Sequence, residues 1–154
     1  MDIPIAVGIV SFERGELTRR CIDSVRSCTR QGNYHIFLVD NGSRTDSTKK
    51  VLTWCRTLDD VSVRVLKKNH GPSYARNIIL KMVTRKFPLI AFLDNDIVAL
   101  PGWDDAALKA MEGGADLIQP KLLNRDGKTV ERGPTRSRNN SLLANPEYLG
   151  IGLD

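Results

Sequence analysis

The chain has 154 residues, 41% hydrophobic and 27% charged, which is ordinary for one globular domain. No apolar run approaches the roughly 20 residues that a membrane span needs, and the N-terminus lacks the basic start and apolar core of a signal peptide. The net charge of +5 fits an anionic ligand but is too weak to argue for nucleic acid. The 3 cysteines form no CxxC pair, so we expect reduced, buried thiols in a cytoplasmic protein.

Apolar runs along the chain predict strands at 5–10, 36–39, 61–65 and 89–93. The third run alternates apolar and polar residues, so we expect it near an edge of the sheet, whereas the fourth should be fully buried. Beyond them, a helix is expected at about 103–112 and a strand near 115–123. Asp126-Gly127 predicts a hairpin turn into the next strand.

Helical patterns lie between the first four predicted strands. In the first pattern, residues 17, 21, 25 and 28 share one face, which should bury Cys21 and Cys28. The second follows a capping pattern from Ser43 to Asp46, and the third opens at Gly71. Strand–helix units in succession predict an α/β fold with a mostly parallel, Rossmann-like sheet and helices on both faces.

Ligands of such sheets bind beyond the carboxyl ends of the strands, which directs attention to the segments that follow them. Asp94-Asn95-Asp96 follows the fourth predicted strand, and an extended chain would place its two carboxylates on one side. Two hard oxygen donors near a diphosphate suit Mg²⁺ or Mn²⁺. The alternative is a solvated turn, since Asp and Asn are common turn residues.

The other strand ends also have structural alternatives. For Asp40-Asn41-Gly42-Ser43 we favour a turn with a helix cap over a carboxylate that binds a base or ribose. The helix start before Arg76 is either only a helix start or an anion site. No GxGxxG or GxxxxGK[ST] pattern occurs, which argues against a dinucleotide dehydrogenase and a P-loop NTPase.

Four segments carry a more specific signal together than any does singly. They read Val-Ser-Phe-Glu-Arg at 10–14, Val-Asp-Asn-Gly-Ser at 39–43, Asn-His-Gly-Pro-Ser-Tyr-Ala-Arg-Asn at 69–77 and Phe-Leu-Asp-Asn-Asp at 92–96. In this order they resemble the V-S-Y-N-R, V-D-N-G-S, N-x-G-x-x-x-A-R-N and F-L-D-x-D blocks of family 2 glycosyltransferases, which have the GT-A fold. The resemblance covers about residues 5–127.

The resemblance implies a donor site at the strand ends. Asp40 would contact the base, Phe12 and Glu13 would line the nucleoside pocket, and Arg76 would lie near the nucleotide sugar. Asp94 would lie near the ribose or the metal, and Asp96 would ligate Mn²⁺ or Mg²⁺. The implied donor-binding set is Ser11, Phe12, Glu13, Asp40, Asn69, Arg76, Asp94 and Asn95. The implied reaction is inverting transfer from a UDP-linked sugar to a hydroxyl of a saccharide, lipid or protein acceptor.

The chain departs from the family pattern toward its C-terminus. Complete catalytic domains of the family are longer and carry a general base in a Glu-Asp motif, which does not occur here. We therefore expect 1–154 to be a single GT-A domain without the acceptor-side C-terminal part, able to bind donor but poor at transfer. Glu147 is the best remaining candidate for a base.

Two other functions stay open on the residues. A non-catalytic nucleotide-binding or interaction module is the first, and the missing base motif supports it. A sugar nucleotidyltransferase ranks below it because residues 11–16 lack a Gly-rich, basic loop. We expect no nucleic-acid partner and no transmembrane segment, while peripheral membrane contact and a homodimer remain compatible with the sequence.

Overall fold

The computed structural model describes residues 3–30 and 33–124, together with the backbone of four later strands. Its chain forms two compact units. The first comprises Met1–Ile22 and Gln31–Asn95, and the second comprises Asp23–Arg30 and Asp96–Asp154. No helix in the described ranges is long and apolar enough to cross a membrane.

The first unit is a four-stranded parallel sheet with helical crossovers, as the sequence predicts. Its elements are β1 (Ile5–Ser11), α1 (Gly15–Cys28, of which the first part belongs here), β2 (Tyr34–Asp40), α2 (Asp46–Cys55), β3 (Val61–Val65), α3 (Pro72–Met82) and β4 (Leu89–Asp94). The strand order is β3-β2-β1-β4, with every pair parallel. The order changes direction between β1 and β4, the kind of switch point where α/β sheets bind ligands.

The core of this unit lies on both faces of the two inner strands. One face packs against α3 through the buried cluster Ala6, Phe37, Val39, Ala75 and Ile79. The alternate residues Val7, Ile9, Ile36 and Leu38 are fully buried on the opposite face. Gly8 allows close packing on the α3 side, because a Cβ there would lie 2.9 Å from Ile79 Cγ2.

Two expectations about exposure are wrong. The strand β4 is not fully buried, since Ile90 is 37% and Phe92 38% exposed. The reason is its place at the edge of the described sheet, where it pairs with β1. Cys21 and Cys55 are buried, but Cys28 is only half-buried because it is the last residue of α1.

The predicted cap of the second helix is also wrong. The helix α2 begins at Asp46 with Thr45 as its N-cap, and the side chain of Thr45 makes no capping hydrogen bond to the helix backbone. Ser43 lies too early to cap it, and its hydroxyl is bonded to Asp40 instead.

The second unit is built of shorter elements. They are the end of α1, β5 (Ile97–Ala99), α4 (Trp103–Glu112), β6 (Leu117–Gln119), β7 (Lys121–Leu123), β8 (Val130–Arg132), β9 (Thr135–Arg138), β10 (Ser141–Ala144) and β11 (Leu149–Gly152). The described strands form two sheets, ordered β10-β9-β6 and β5-β11-β7-β8. The buried carboxylate of Asp104 accepts a hydrogen bond from the Arg30 N–H at 3.0 Å, which ties α4 to the end of α1.

The predicted helix at 103–112 is confirmed, whereas the single strand near 115–123 is wrong. That segment forms β6 and β7, which belong to different sheets. Pro120 lies between them and lacks the N–H that a continuous ladder needs. Asp126-Gly127 lies outside the described residues; β7 and β8 on either side of it pair antiparallel.

Candidate functional site

Glu13 fastens the loop after β1 to the loop after β2. Its carboxylate accepts the backbone N–H of Arg44 on Oε1 at 2.9 Å and that of Thr45 on Oε2 at 3.1 Å. The Glu13 N–H donates to Ser43 Oγ at 2.7 Å, and its carbonyl accepts from Thr48 Oγ1 at 3.0 Å. The hydroxyl of Thr45, and then the N–H of Arg44, lower the pKa of Glu13 below its usual value.

The backbone of this loop has an unusual conformation. Glu13 and Arg14 have φ of 54° and 43°, in the left-handed region that disfavours residues with a Cβ. Gly15 follows, where a Cβ would lie 2.5 Å from the backbone of Ser47 and Thr48. Close contact between the start of α1 and the first turn of α2 therefore requires glycine at this position.

Asp40 closes the turn at the end of β2. Its side chain is fully buried, Ser43 N donates to Oδ2 at 3.0 Å, and Ser43 Oγ donates to Oδ1 at 2.5 Å. The turn that we favoured for this segment is therefore present. Gly42 has φ of +82°, and a Cβ there would lie 2.6 Å from Lys68 Cα, so this turn also packs on the loop after β3.

Two asparagine amides join the loops after β2 and β3. Asn41 Nδ2 donates to Asn69 Oδ1 at 2.9 Å, and Asn41 Oδ1 accepts from His70 N at 3.0 Å. Asn69 Oδ1 also accepts from Gly71 N at 2.7 Å. Sequence reasoning missed Asn41, whose only signal was its place after Asp40 in the turn. The loops after β1, β2 and β3 thus form one hydrogen-bonded group.

Two residues of α1 hold the end of β4. Asn95 Nδ2 donates to Thr18 Oγ1 at 2.9 Å, and Cys21 Sγ donates to the carbonyl oxygen of Asp94 at 3.5 Å. The Thr18 hydroxyl lies within bonding distance of Ser11 Oγ and the Arg14 carbonyl, at 3.3 and 3.2 Å. Sequence reasoning assigned neither Thr18 nor Cys21 to the site, because Thr18 reads as an ordinary helix position and Cys21 as a residue of the buried helix face.

Asp94 and Arg76 form an ion pair at the end of β4. Arg76 Nη2 donates to Asp94 Oδ1 at 2.9 Å, and the side chains are 41% and 66% exposed. Asn95 and Asp96 form a turn, so the expectation of an extended chain over Asp94-Asn95-Asp96 is wrong. The parts of the chain that the structure describes contain no group of three or more metal-ligating side chains.

A family model described as glycosyl transferase family 2 matches residues 6–152. The chain belongs to this family. Glycosyltransferases of Rickettsia felis and Rickettsia conorii are 31% and 34% identical to it over 134 residues, which is 84% of this chain and 21% of each relative. The chain thus spans about a fifth of the length of these relatives.

Solved structures agree on the fold. The crystal structure of S. aureus TarS matches with a TM-score of 0.70 and 22% identity, covering 85% of this chain and 24% of TarS. TarS 1-349 has also been solved in complex with UDP-GlcNAc, and that structure matches with a TM-score of 0.69, 21% identity and coverage of 85% and 38%. These likenesses confirm the predicted Rossmann-like GT-A sheet.

The eight predicted donor-binding residues of this family member lie on one edge of the first unit. They are Ser11, Phe12, Glu13, Asp40, Asn69, Arg76, Asp94 and Asn95, all on or just after the four strand ends or on the first turns of α3. Phe12 is 43% exposed at this edge. Asp96 belongs to the second unit, and Glu147 lies outside the described residues.

Proposed function

We propose that this chain binds a UDP-linked sugar donor and is part of an enzyme that transfers the sugar to an acceptor hydroxyl with inversion. The observation that carries the proposal is the hydrogen-bonded group of three loops around Asp40, at the edge of a family 2 sheet where the strands β1 to β3 end. The solved complexes of the neighbour TarS with UDP and UDP-GlcNAc support this class of donor.

The side chains at the sheet edge have different proposed roles in binding the donor. Asp40 contacts the base, and the half-exposed ring of Phe12 packs on the nucleoside. Buried Ser11 and the Asn69 amide shape the pocket, while Arg76 lies near the phosphates and sugar.

The carboxylates after β4 fit a divalent cation that arrives with the nucleotide. Mg²⁺ and similar ions are held in such sites by one or two carboxylates, with phosphates and waters in the remaining positions. Asp94 is exposed, and Asp96 follows two residues later, which matches so small a protein donor set. When bound, the ion offsets the charge on the departing diphosphate. Arg76 holds Asp94 by its Oδ1 atom.

Calorimetric titration with UDP, with and without Mn²⁺, tests donor binding. We expect tighter binding with Mn²⁺, and Asp96→Ala should abolish the metal-dependent part. Asp40→Ala should weaken binding in both conditions, because Asp40 is proposed to touch the base. Asp59→Ala, an exposed acid in the turn before β3, is the matched control. Equal affinity with and without Mn²⁺ would contradict the metal role.

Transfer is tested with nucleotide sugars, simple acceptors and Mn²⁺. The proposal predicts that this chain binds donor while the general base is supplied outside the described residues, and Glu147→Gln tests the one candidate. Donor binding without turnover in any longer form of the protein would favour the non-catalytic module. The acceptor class, a homodimer and a cytoplasmic or membrane-peripheral location stay predictions.

A further inference from the structure

We propose that Glu13 is a positioning residue, which orients the base-contacting carboxylate of Asp40 through Ser43 and does not itself touch the nucleotide. This inference rests on the donor binding proposed above. It also replaces the role that the family resemblance implies for Glu13, which is to line the nucleoside pocket.

Two hydrogen bonds run in one direction from Glu13 through Ser43 to Asp40. The Glu13 N–H donates to Ser43 Oγ at 2.7 Å, so the single proton of that hydroxyl is left to point elsewhere. It points to Asp40 Oδ1, at 2.5 Å, while the Ser43 N–H donates to Oδ2 at 3.0 Å. The backbone of Glu13 therefore sets which way Ser43, and through it Asp40, is oriented.

The two oxygen atoms of the Glu13 carboxylate already accept hydrogen bonds from backbone N–H groups. Oε1 and Oε2 accept the N–H groups of Arg44 and Thr45, which lie just before α2. The Thr45 side chain caps no backbone N–H of that helix, and Glu13 instead accepts the N–H of Thr45, the N-cap residue, from another loop. Hydrogen bonds to a charged acceptor are among the stronger ones, so they hold Ser43 in place. The lowered pKa of Glu13 agrees with these contacts.

The backbone of Glu13 has a conformation that its neighbours must hold in place. A φ of 54° at a residue with a Cβ persists only where the surroundings hold it, and here Ser43 and Thr48 bond both polar backbone atoms of Glu13. Glycine would adopt this conformation more readily. The carboxylate of Glu13 fastens the two loops through its bonds to the N–H groups of Arg44 and Thr45.

A set of variants separates positioning from direct contact. Glu13→Gln should weaken UDP binding without Mn²⁺ by roughly tenfold, the scale of a lost hydrogen bond to a charged group. In an Asp40→Ala background the same change should alter affinity less than about twofold, because coupled residues are non-additive. A full effect in that background would mean direct contact and would overturn the proposal. Glu16→Gln, on the exposed start of α1, is the matched control.

Ser43 offers a second route if Asp40→Ala does not fold. Ser43→Ala should weaken UDP binding as Glu13→Gln does, and Ser43→Thr, which keeps the hydroxyl, should restore it. Glu13→Gly removes the carboxylate while the backbone can keep its φ of 54°, so it tests the side chain apart from the backbone conformation. It should lose affinity like Glu13→Gln; affinity equal to that of the unmodified chain would show that the carboxylate is not needed.

The hydrogen bonds of the Glu13 carboxylate to Arg44 and Thr45 can also be measured without nucleotide. The amide proton shifts of Arg44 and Thr45 should follow the titration of Glu13 below its ordinary pKa of 4.5, and this response should vanish in Glu13→Gln. No response would overturn the positioning role whatever the affinity for UDP. A clear shift response in a chain that does not bind UDP would instead count against the proposed function. It would still support the contact of Glu13 with Arg44 and Thr45.

Discussion

The ends of β2 and β4 both present an aspartate at the same edge of one sheet, yet the two side chains have opposite surroundings. Asp40 is 0% exposed and bonded by Ser43, whereas the Asp94 side chain is 66% exposed and paired with Arg76. The strand β2 has neighbours on both sides, and β4 lies at the edge of the described sheet. A strand-terminal aspartate is therefore enclosed and held by its own turn at one position, and exposed and held by an arginine at the other.

The largest effect is expected from the turn after β2. Gly42→Ala must accept φ of +82° and a Cβ 2.6 Å from Lys68 Cα, so it should lower the free energy of unfolding by about 3 kcal/mol. Gly71→Ala has a similar φ of +84° but nothing within 4 Å, and should cost about 1 kcal/mol. Urea denaturation measures both. Equal losses would show that the two loops are not in close contact.

The two aspartates should also differ in what they contribute to folding. Asp40→Asn weakens two hydrogen bonds in a buried turn and should cost about 2 kcal/mol. Asp94→Asn removes an exposed ion pair with Arg76 and should cost less than about 1 kcal/mol. The measurement is the midpoint of urea unfolding at pH 7 with an unchanged m-value. A loss at Asp94 as large as that at Asp40 would remove the contrast.

The sequence predicts the first unit well because its signals are local. Buried strands and helix faces follow from apolar spacing, and the parallel order follows from strand–helix alternation. The exposure of Ile90 could not be predicted, since an apolar run reads the same in a central strand and in an edge strand. The split at Pro120 was predictable from its missing N–H, but the run of apolar residues around it masked that signal.

The site was predicted as a set of positions and not as a set of contacts. Asp40 and Asp94 were found because strand ends meet at one edge of a parallel sheet. The bonds of Glu13 to Arg44 and of Asn41 to Asn69 join residues about thirty positions apart, and no spacing rule reports such pairs. For the same reason the contact of Thr18 with Asn95 could not be predicted before the structure placed α1 beside the end of β4.

A smaller effect is expected at the other end of β2, where burial, and then Lys86, lower the pKa of His35 against the opposing charge of Asp60. The folded chain therefore binds a proton on His35 only at lower pH than the unfolded chain, whose histidine has the ordinary pKa of 6.5. The free energy of unfolding should fall as the pH drops below that value, until the lowered folded pKa is passed. His35→Gln should remove this part of the pH dependence in urea titrations, and an unchanged slope would contradict the assignment.

The smallest effect concerns the thiols and tests how firmly the end of β4 is held. Cys28 is half-buried at the end of α1, so it should react with a thiol reagent in the native protein, and Cys28→Ser should remove that fast phase. Cys21 and Cys55 are buried and should react only when the structure opens locally. Cys21 Sγ bonds the carbonyl oxygen of Asp94, so its labelling rate reports on this strand end. Rapid labelling of Cys21 would mean that the backbone of Asp94 is mobile and that its side chain is also exposed. Slow labelling would mean that the exposed carboxylate of Asp94 is carried by an ordered backbone.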